Sequence, residues 1–304
     1  PNQEFYQSKE KFLEKWKTYL PLDLKPNKPF YNVIKDKNLK KVGKVAVIIP
    51  TKGKTNLLYE CVKSFYDNCN SEYFDVFIAD TGSLKEEKDW IKENILPLGN
   101  IKLIEYDYYN FAKINNDVVK NHLEEKHEFI LFSNNDIKIL NDVIFGMLDI
   151  FKTKSKVGTV GCRLHFGDNT IQHNGIFGYI NKNKFFGVTH HSLSSYYNYS
   201  YNLNKVFGNT AGLLMIRKNV FEKCGYFNEN YINCFEDVEL NIKCITLGYE
   251  NYNDGNLVAY HYESQTRKED PENLKKLQMD YKNNLLPFVI KNYDKIKNYI
   301  TIEN

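Results

Sequence analysis

Phe129-Ile130-Leu131-Phe132-Ser133-Asn134-Asn135-Asp136 is the segment from which the architecture of this chain can be read. Four consecutive apolar residues suit a strand covered on both faces. The abrupt change to two carboxamides and a carboxylate puts oxygen ligands at the mouth of an α/β sheet. Oxygen ligands with few carboxylates suit a hard divalent cation whose remaining positions are filled by phosphates. The same residues would equally serve as a turn or as a cap for the following helix.

Outward from this strand the pattern repeats. Val45-Ala46-Val47-Ile48-Ile49 reads as a buried strand ending in the turn Pro50-Thr51-Lys52-Gly53, and Leu57, Leu58, Cys61, Val62 and Phe65 mark one face of a helix. Val76-Phe77-Ile78-Ala79 forms a second strand ending at Asp80, and Ser83-Leu84-Lys85-Glu86 has the form of a capping box. A third strand at 101–105, a helix at 114–123 and the strand at 129–132 complete a βαβα alternation. This predicts an α/β fold with a mostly parallel sheet, helices on both faces, and ligands at the carboxyl ends of the strands.

Beyond residue 157 the alternation fades. Segments 157–164, 176–180 and 211–217 read as strands around a Tyr-, Asn- and Ser-rich loop at 181–205. A helix is predicted at 237–247, closed by Gly248, then a strand at 257–260 and a Lys- and Asn-rich helical tail from about 270. Phe12, Leu13, Trp16, Tyr19 and Leu20 place an amphipathic helix before Pro21. The expected organisation is a helical N-terminal extension over 1–42, an α/β domain over 43–267 and a helical tail over 268–304.

Composition narrows the classes. With 304 residues, 42% hydrophobic and 26% charged, the chain can bury one large core. A net charge of +3 over 41 basic and 38 acidic side chains lacks the concentrated basic excess of a nucleic-acid binder. Residues 1–44 nevertheless hold 11 Lys against 5 acidic residues, a local +6 that leaves −3 for the remainder. That extension suits a solvated face or peripheral contact with an anionic membrane or polyanionic acceptor. Six Cys without a C-x-x-C pair lie mostly in apolar periodic segments, as expected for reduced core thiols of a cytosolic protein. No apolar run approaches 18 residues, and Pro1-Asn2-Gln3-Glu4 is no signal peptide, so the expectation is a soluble or peripheral protein. Starting at Pro1 without Met, the chain has the form of a piece of a longer enzyme. Asn198-Tyr199-Ser200 matches a glycosylation triplet of the kind chance supplies in an Asn-rich chain.

Four constellations carry candidate chemistry. Asp136 with Asn134 suits a cation. Asp80 ends a strand at the same sheet edge and could accept hydrogen bonds from a ribose or base, or simply make a strand-end turn. Glu236-Asp237 precedes an apolar helical run, where the helix dipole favours ionised carboxylates. That suits a base, and equally suits dipole-complementing surface acids. His261, at the end of an apolar strand, could ligate a cation, contact phosphate or be purely structural. His173 and the pair His190-His191 carry weaker signals.

In order along the chain, these segments resemble glycosyltransferase family 2, the inverting enzymes of the GT-A fold, and its rhamnosyltransferase-like members in particular. The resemblance rests on eight stretches: Val45-Ala46-Val47-Ile48-Ile49-Pro50-Thr51, Ile78-Ala79-Asp80-Thr81-Gly82-Ser83, Asn110-Phe111-Ala112-Lys113-Ile114-Asn115-Asn116 and Leu131-Phe132-Ser133-Asn134-Asn135-Asp136, then Thr170-Ile171-Gln172-His173-Asn174-Gly175, Ala211-Gly212-Leu213-Leu214-Met215-Ile216-Arg217, Phe235-Glu236-Asp237-Val238-Glu239-Leu240 and His261-Tyr262-Glu263-Ser264. It spans roughly residues 43 to 267.

The resemblance implies a nucleotide-sugar donor, UDP- or dTDP-linked, held by Pro50, Thr51, Lys52 and Asp80, with Lys113, Asn115, Asn134 and Asn135 nearby. It implies Mn²⁺ or Mg²⁺ at Asp136 and His261, a catalytic base at Asp237, and acceptor contacts from Glu236 and His173. The acceptor would be a glycan or lipid-linked saccharide in bacterial surface polysaccharide synthesis, such as capsule or lipopolysaccharide. The enzyme would be cytoplasmic, with peripheral contact at the inner membrane face. Two departures stand out: Asn134 occupies the usual acidic first position of the metal motif, and Asn115-Asn116 stands where many members have Arg before Asn. Lys113 or Lys52 could supply that missing positive charge. Absence of a Gln-x-x-Arg-Trp motif argues for transfer of one sugar per encounter. The rival readings are a non-catalytic sugar- or nucleotide-binding module of the same fold, and a sugar nucleotidyltransferase, for which Pro50-Thr51-Lys52-Gly53 is a poor Gly-rich loop.

Overall fold

The computed structural model describes residues 29, 31, 43–181, 183, 185–190, 202–262 and 272–302. The expected helix before Pro21, the basic extension up to residue 42, the Asn198 triplet, His191 and Glu263-Ser264 lie outside them.

β1 (Lys44–Thr51) is wholly buried from Val45 to Ile49, because helices cover both faces of its sheet. α1 (Thr55–Asn68) buries Leu58, Cys61, Val62 and Phe65 at helical spacing. β2 (Phe74–Asp80), α2 (Lys85–Asn94), β3 (Ile101–Glu105), α3 (Phe111–Asn121) and β4 (His127–Ser133) follow. The neighbours β3-β2-β1-β4 are all parallel, so the carboxyl ends of these strands share one edge. At the opposite edge the Asp75 carboxylate takes Lys44 at 2.7 Å, His127 at 2.9 Å and Lys126 at 3.1 Å. Burial alone would raise its pKa, but these partners and Asn100 outweigh burial and hold it well below the usual carboxylate range.

Past Asp136 the sheet becomes mixed. β5 (Ile137–Ile139) leads to α4 (Val143–Thr153), which is capped by Asp142 through Phe145 N at 2.9 Å. The Asn134-Asn135-Asp136 segment is therefore a strand-to-strand turn and not a helix cap. β6 (Val157–His165), β7 (Ile171–His173), β8 (Phe177–Ile180), β9 (Phe186–Thr189), β10 (Leu203–Val206) and β11 (Leu213–Arg217) precede α5 (Lys218–Lys223), α6 (Glu236–Thr246) and β12 (Glu250–His261). The main sheet runs β10-β12-β6-β11-β4-β1-β2-β3, with β11 antiparallel to both neighbours.

β12 is far longer than the predicted 257–260. Asn251 and Asn253, which precede the predicted strand, are fully buried within it. The proposed 181–205 loop contains β9 and the start of β10. The Ser83 capping box does not form. Leu84 N donates to Glu87 Oε2 at 2.7 Å, and Ser83 turns back to Asp80.

The segment 272–302 is packed, not trailing. α7 (Asn273–Asp280) continues through a π-helical turn, Tyr281–Leu285, into α8 (Leu286–Ile296). β13 (Ile300–Ile302) then pairs with β8 in a three-stranded sheet. Leu285, Val289 and Ile296 are buried against Val238, Ile242 and Ile245 of α6. Burying side chains of this size contributes roughly 1.5–3 kcal/mol each.

Candidate active site

A continuous series of contacts runs along the carboxyl edge of the sheet and joins most of the residues singled out above. Asp80 has no exposed surface. Its carboxylate accepts from Ser83 N at 3.2 Å and from Ser83 Oγ, and Lys88 stands 3.6 Å away. Ser83 Oγ in turn accepts from Gly53 N at 2.7 Å, and Thr81 N donates to Thr51 O at 2.8 Å. Asp80 therefore fixes the loop that follows β1. Thr51 Oγ1 accepts from Asn135 Nδ2 at 2.9 Å, which ties that loop to the turn after β4. Pro50, half-buried, lies opposite Ala79, Thr51 ends the paired part of β1 opposite Asp80, and the Lys52 side chain is exposed beyond it.

Asn134, Asp136 and His261 meet at the end of β12. His261 Nδ1 donates to Gln172 Oε1 at 2.6 Å, which orients the ring so that Nε2 faces Asp136 Oδ1 at 3.3 Å. Asn134 Nδ2 lies 3.1 Å from the same nitrogen, and half a turn of that amide would present its oxygen instead. Asp136 Oδ1 is buried with no hydrogen-bond donor. A carboxylate oxygen in that state is costly unless a cation or solvent reaches it.

This donor set fits a hard divalent cation. It offers one carboxylate, one imidazole oriented from behind, one carboxamide, and an N···O separation close to the roughly 3 Å between neighbouring ligands on an octahedral ion. Among the described residues no three His, Cys, Asp or Glu side chains converge, so a cation here would take its other ligands from outside this group. Cys61 lies beneath, 3.5 Å from Asn134 O; burial, with a smaller push from Asp136, moves its thiol up to about 12, so it stays protonated. A shallow recess of about 190 Å³ opens beside Asp136 between Leu57, Glu60, Lys138 and Tyr262.

One short turn separates this cluster from Asp237. Asn134 N donates to Gly212 O at 2.9 Å, and the preceding amide, Ala211 N, donates to Asp237 Oδ2 at 3.0 Å. Asp237 Oδ1 accepts from Val238 N at 2.8 Å. The carboxylate sits half-buried in the first turn of α6, and each oxygen keeps an acceptor position. Glu236 beside it is buried.

The turn itself is held by amides. Asn209 donates to Thr159 Oγ1 at 3.0 Å and Tyr252 O at 2.9 Å, and accepts from Asn253 at 3.0 Å. Asn241 donates to Asn209 O at 2.8 Å and Asp237 O at 2.6 Å, while Thr159 Oγ1 donates to its oxygen at 2.6 Å. Gly161 and Gly208 leave the room these side chains occupy. A Cβ at Gly161 would collide with Asn209 Oδ1, and one at Gly208 would lie 2.6 Å from Asn241.

Other candidates are placed differently. His173 is 1% exposed; its Nε2 accepts from Gly175 N at 3.3 Å, and its Nδ1 lies 3.0 Å from His190 Nδ1. It stands behind Thr210, whose amide is 3.5 Å from Nε2. Lys113 is exposed, its ammonium 4.4 Å from the centre of the Tyr108 ring. Asn115 is buried, donates to Phe111 O at 2.8 Å and keeps an unpartnered Oδ1. Neither joins the hydrogen-bonded series from Asp80 to Asp237. Sequence reasoning assigned no role to Lys88 or Gln172. Lys88 is visible only once α2 folds over Asp80, and Gln172 adjoins His173 in a segment whose pairing with β6 sequence cannot fix.

The fold is of the GT-A glycosyltransferase type. The structure of GalNAc-T7 with UDP, GalNAc and Mn²⁺ matches 84% of this chain and 55% of its own, with a TM-score of 0.61 and 12% identity. The mannosyltransferase PcManGT from Pyrobaculum calidifontis, in complex with GDP-Man and Mn²⁺, matches 86% of this chain and 66% of its own, with a TM-score of 0.55 and 15% identity. In sequence, the chain is similar to the O-antigen biosynthesis protein RfbC of Myxococcus xanthus, at 26% identity over 231 residues, 75% of this chain and 18% of that protein. It is also similar to protein y4gI of Sinorhizobium fredii, at 24% over 233 residues, 73% of this chain and 25% of that protein. The chain thus spans about a fifth to a quarter of the length of these two relatives. No family model matches it.

Proposed function

We propose that this chain is the catalytic domain of an inverting, metal-dependent glycosyltransferase that moves one sugar from a nucleotide-sugar donor, UDP- or dTDP-linked, to an acceptor hydroxyl. The observation that carries the reading is the single turn, residues 210–212, that carries the Asp136–His261 pair on one side and the Asp237 carboxylate on the other.

Asp237 takes the proton from the acceptor hydroxyl. The acceptor oxygen forms its bond to the anomeric carbon as the bond to the diphosphate breaks, and the leaving nucleoside diphosphate keeps that electron pair. Glu236 and, behind Thr210, His173 shape the acceptor side. Pro50, Thr51, Lys52 and Asp80 form the donor side, with Asn115, Asn134 and Asn135 nearby, and Lys52 or Lys113 supplies positive charge near the diphosphate. Asp136 and His261 would hold Mn²⁺ or Mg²⁺, which would supply electrostatic stabilisation of charge on the departing phosphates.

The likeness to RfbC supports an acceptor in bacterial surface polysaccharide synthesis, a glycan or lipid-linked saccharide at the inner membrane face. Among the described residues no helix is long and apolar enough to cross a membrane. The test is a thermal-shift screen of nucleotide sugars with and without Mn²⁺, followed by measurement of nucleoside diphosphate release. A donor at 100 times its Kd should stabilise the fold by about 2.7 kcal/mol. No stabilisation by any nucleotide sugar in either condition would refute the reading; stabilisation without diphosphate release would leave a binding module.

A further inference from the structure

Asp280 ends α7 and is 1% exposed, and its carboxylate accepts from three consecutive backbone amides: Ile232 N at 2.9 Å, Asn233 N at 2.7 Å and Cys234 N at 3.1 Å. A buried carboxylate is tolerated where it is hydrogen-bonded in this way, and nothing in helix formation calls for Asp at that position. The three amides lie immediately before Phe235, whose φ of 78° is a left-handed conformation that a bulky aromatic residue adopts only when its surroundings impose it. The next residues are Glu236 and Asp237.

The C-terminal segment grips this strained residue from its other side as well. The Tyr281 ring stands 6.2 Å from that of Phe235 and 5.0 Å from that of Phe185, and its hydroxyl donates to Phe186 O at 2.9 Å. Asn233 Nδ2 donates to Asn273 Oδ1 at 2.6 Å, and Asn284 Nδ2 to Asn230 O at 3.2 Å. The π-helical turn at Tyr281–Leu285 begins directly after Asp280, and such single-turn segments concentrate at functional sites.

We propose that Asp280 is a positioning residue: by holding residues 232–234 it imposes the left-handed turn at Phe235 and so aims the Asp237 carboxylate at Ala211 N and the acceptor. The segment after residue 272 is then a working part of the acceptor wall. The catalytic consequence rests on the function proposed above, whereas the hold on the turn does not.

Amide deuterium exchange in Asp280→Asn and Asp280→Ala tests it. Exchange at Ile232, Asn233, Cys234 and Ala211 should accelerate by about tenfold or more in Asp280→Ala and by less in Asp280→Asn, with β1 unchanged. The exposed control Lys275→Ala should leave all of these unchanged. Should Asp280→Ala loosen β1 too, the Asn variant decides. An Ala211 amide that stays protected while 232–234 loosen, or no change anywhere, would overturn the proposal.

With a turned-over donor, kcat should fall about 10- to 100-fold while the donor KM stays within about twofold. An undiminished kcat in a variant whose Ala211 amide has loosened would also overturn it. A wild-type chain with no donor turnover sinks the proposed function alone; the exchange data still decide whether Asp280 holds the turn.

Discussion

Replacing Asn209 with alanine removes three hydrogen bonds from a residue with no exposed surface: those to Thr159 Oγ1, to Tyr252 O and from Asn253 Nδ2. Thr159 and Asn253 each keep one other partner, Asn241 Oδ1 and Cys162 O. The penalty is therefore the loss of the bonds themselves, at about 1–1.5 kcal/mol each, with little added for stranded groups. The expected loss is about 3–5 kcal/mol. In a chain of this size each kcal/mol moves Tm by about 2–4 °C, so Tm should drop by roughly 10 °C. Urea unfolding gives the free energy directly, with an unchanged m-value showing that the denatured state is not the cause. Asn292→Ala, which loses only one bond within α8, to Phe288 O at 2.8 Å, is the control and should cost about 1 kcal/mol or less. A loss under about 1 kcal/mol in Asn209→Ala would refute the idea that the amides fasten the 208–212 turn.

Other outcomes follow from the same geometry. Asp237→Asn keeps the shape and the acceptor side of the carbonyl but not the base, so turnover should fall roughly 10²- to 10⁴-fold with donor binding retained in thermal shift; retention of a tenth of the activity would contradict the assignment. Asp136→Ala should abolish turnover together with any stabilisation by Mn²⁺, and an unchanged response to chelator would count against a cation at that carboxylate. Burial, aided by the Arg163 charge, pushes the His165 imidazole down to about 4 despite its bond to Asn169 O, so the unfolded chain binds its proton first. Stability contributed there is present above about pH 6.5 and lost as pH falls towards 4, by roughly 3 kcal/mol, and His165→Gln should flatten that part of the Tm-versus-pH curve.

The strand ends were legible in the sequence because β1, β2 and β4 are covered on both faces and so read as unbroken apolar runs. Whatever polar residue terminates such a run must sit at the sheet edge, which is where Asp80 and Asp136 lie. What links those ends was not legible. The His261–Gln172 and Asn134–Gly212 contacts join residues far apart in the chain, brought together by strand order that includes an antiparallel β11. Local rules also failed where a tertiary partner outbid them. Ser83 has the spacing of a cap, yet its hydroxyl is taken by Asp80 and Gly53. Asn251 and Asn253 precede the predicted strand, yet within β12 they are buried and their amides donate to Phe207 O and Cys162 O. Asp280 gave no signal at all, since nothing in its own helix explains it.

The fastening of the 208–212 turn has a consequence for the response of the protein to acidity. Asparagine amides and a threonine hydroxyl neither gain nor lose protons across the range in which proteins stay folded. Acid therefore reaches the 208–212 turn only through the ionisable groups that touch it, His173 behind Thr210 and the Asp237 carboxylate at Ala211 N, and not through the amides that fasten it.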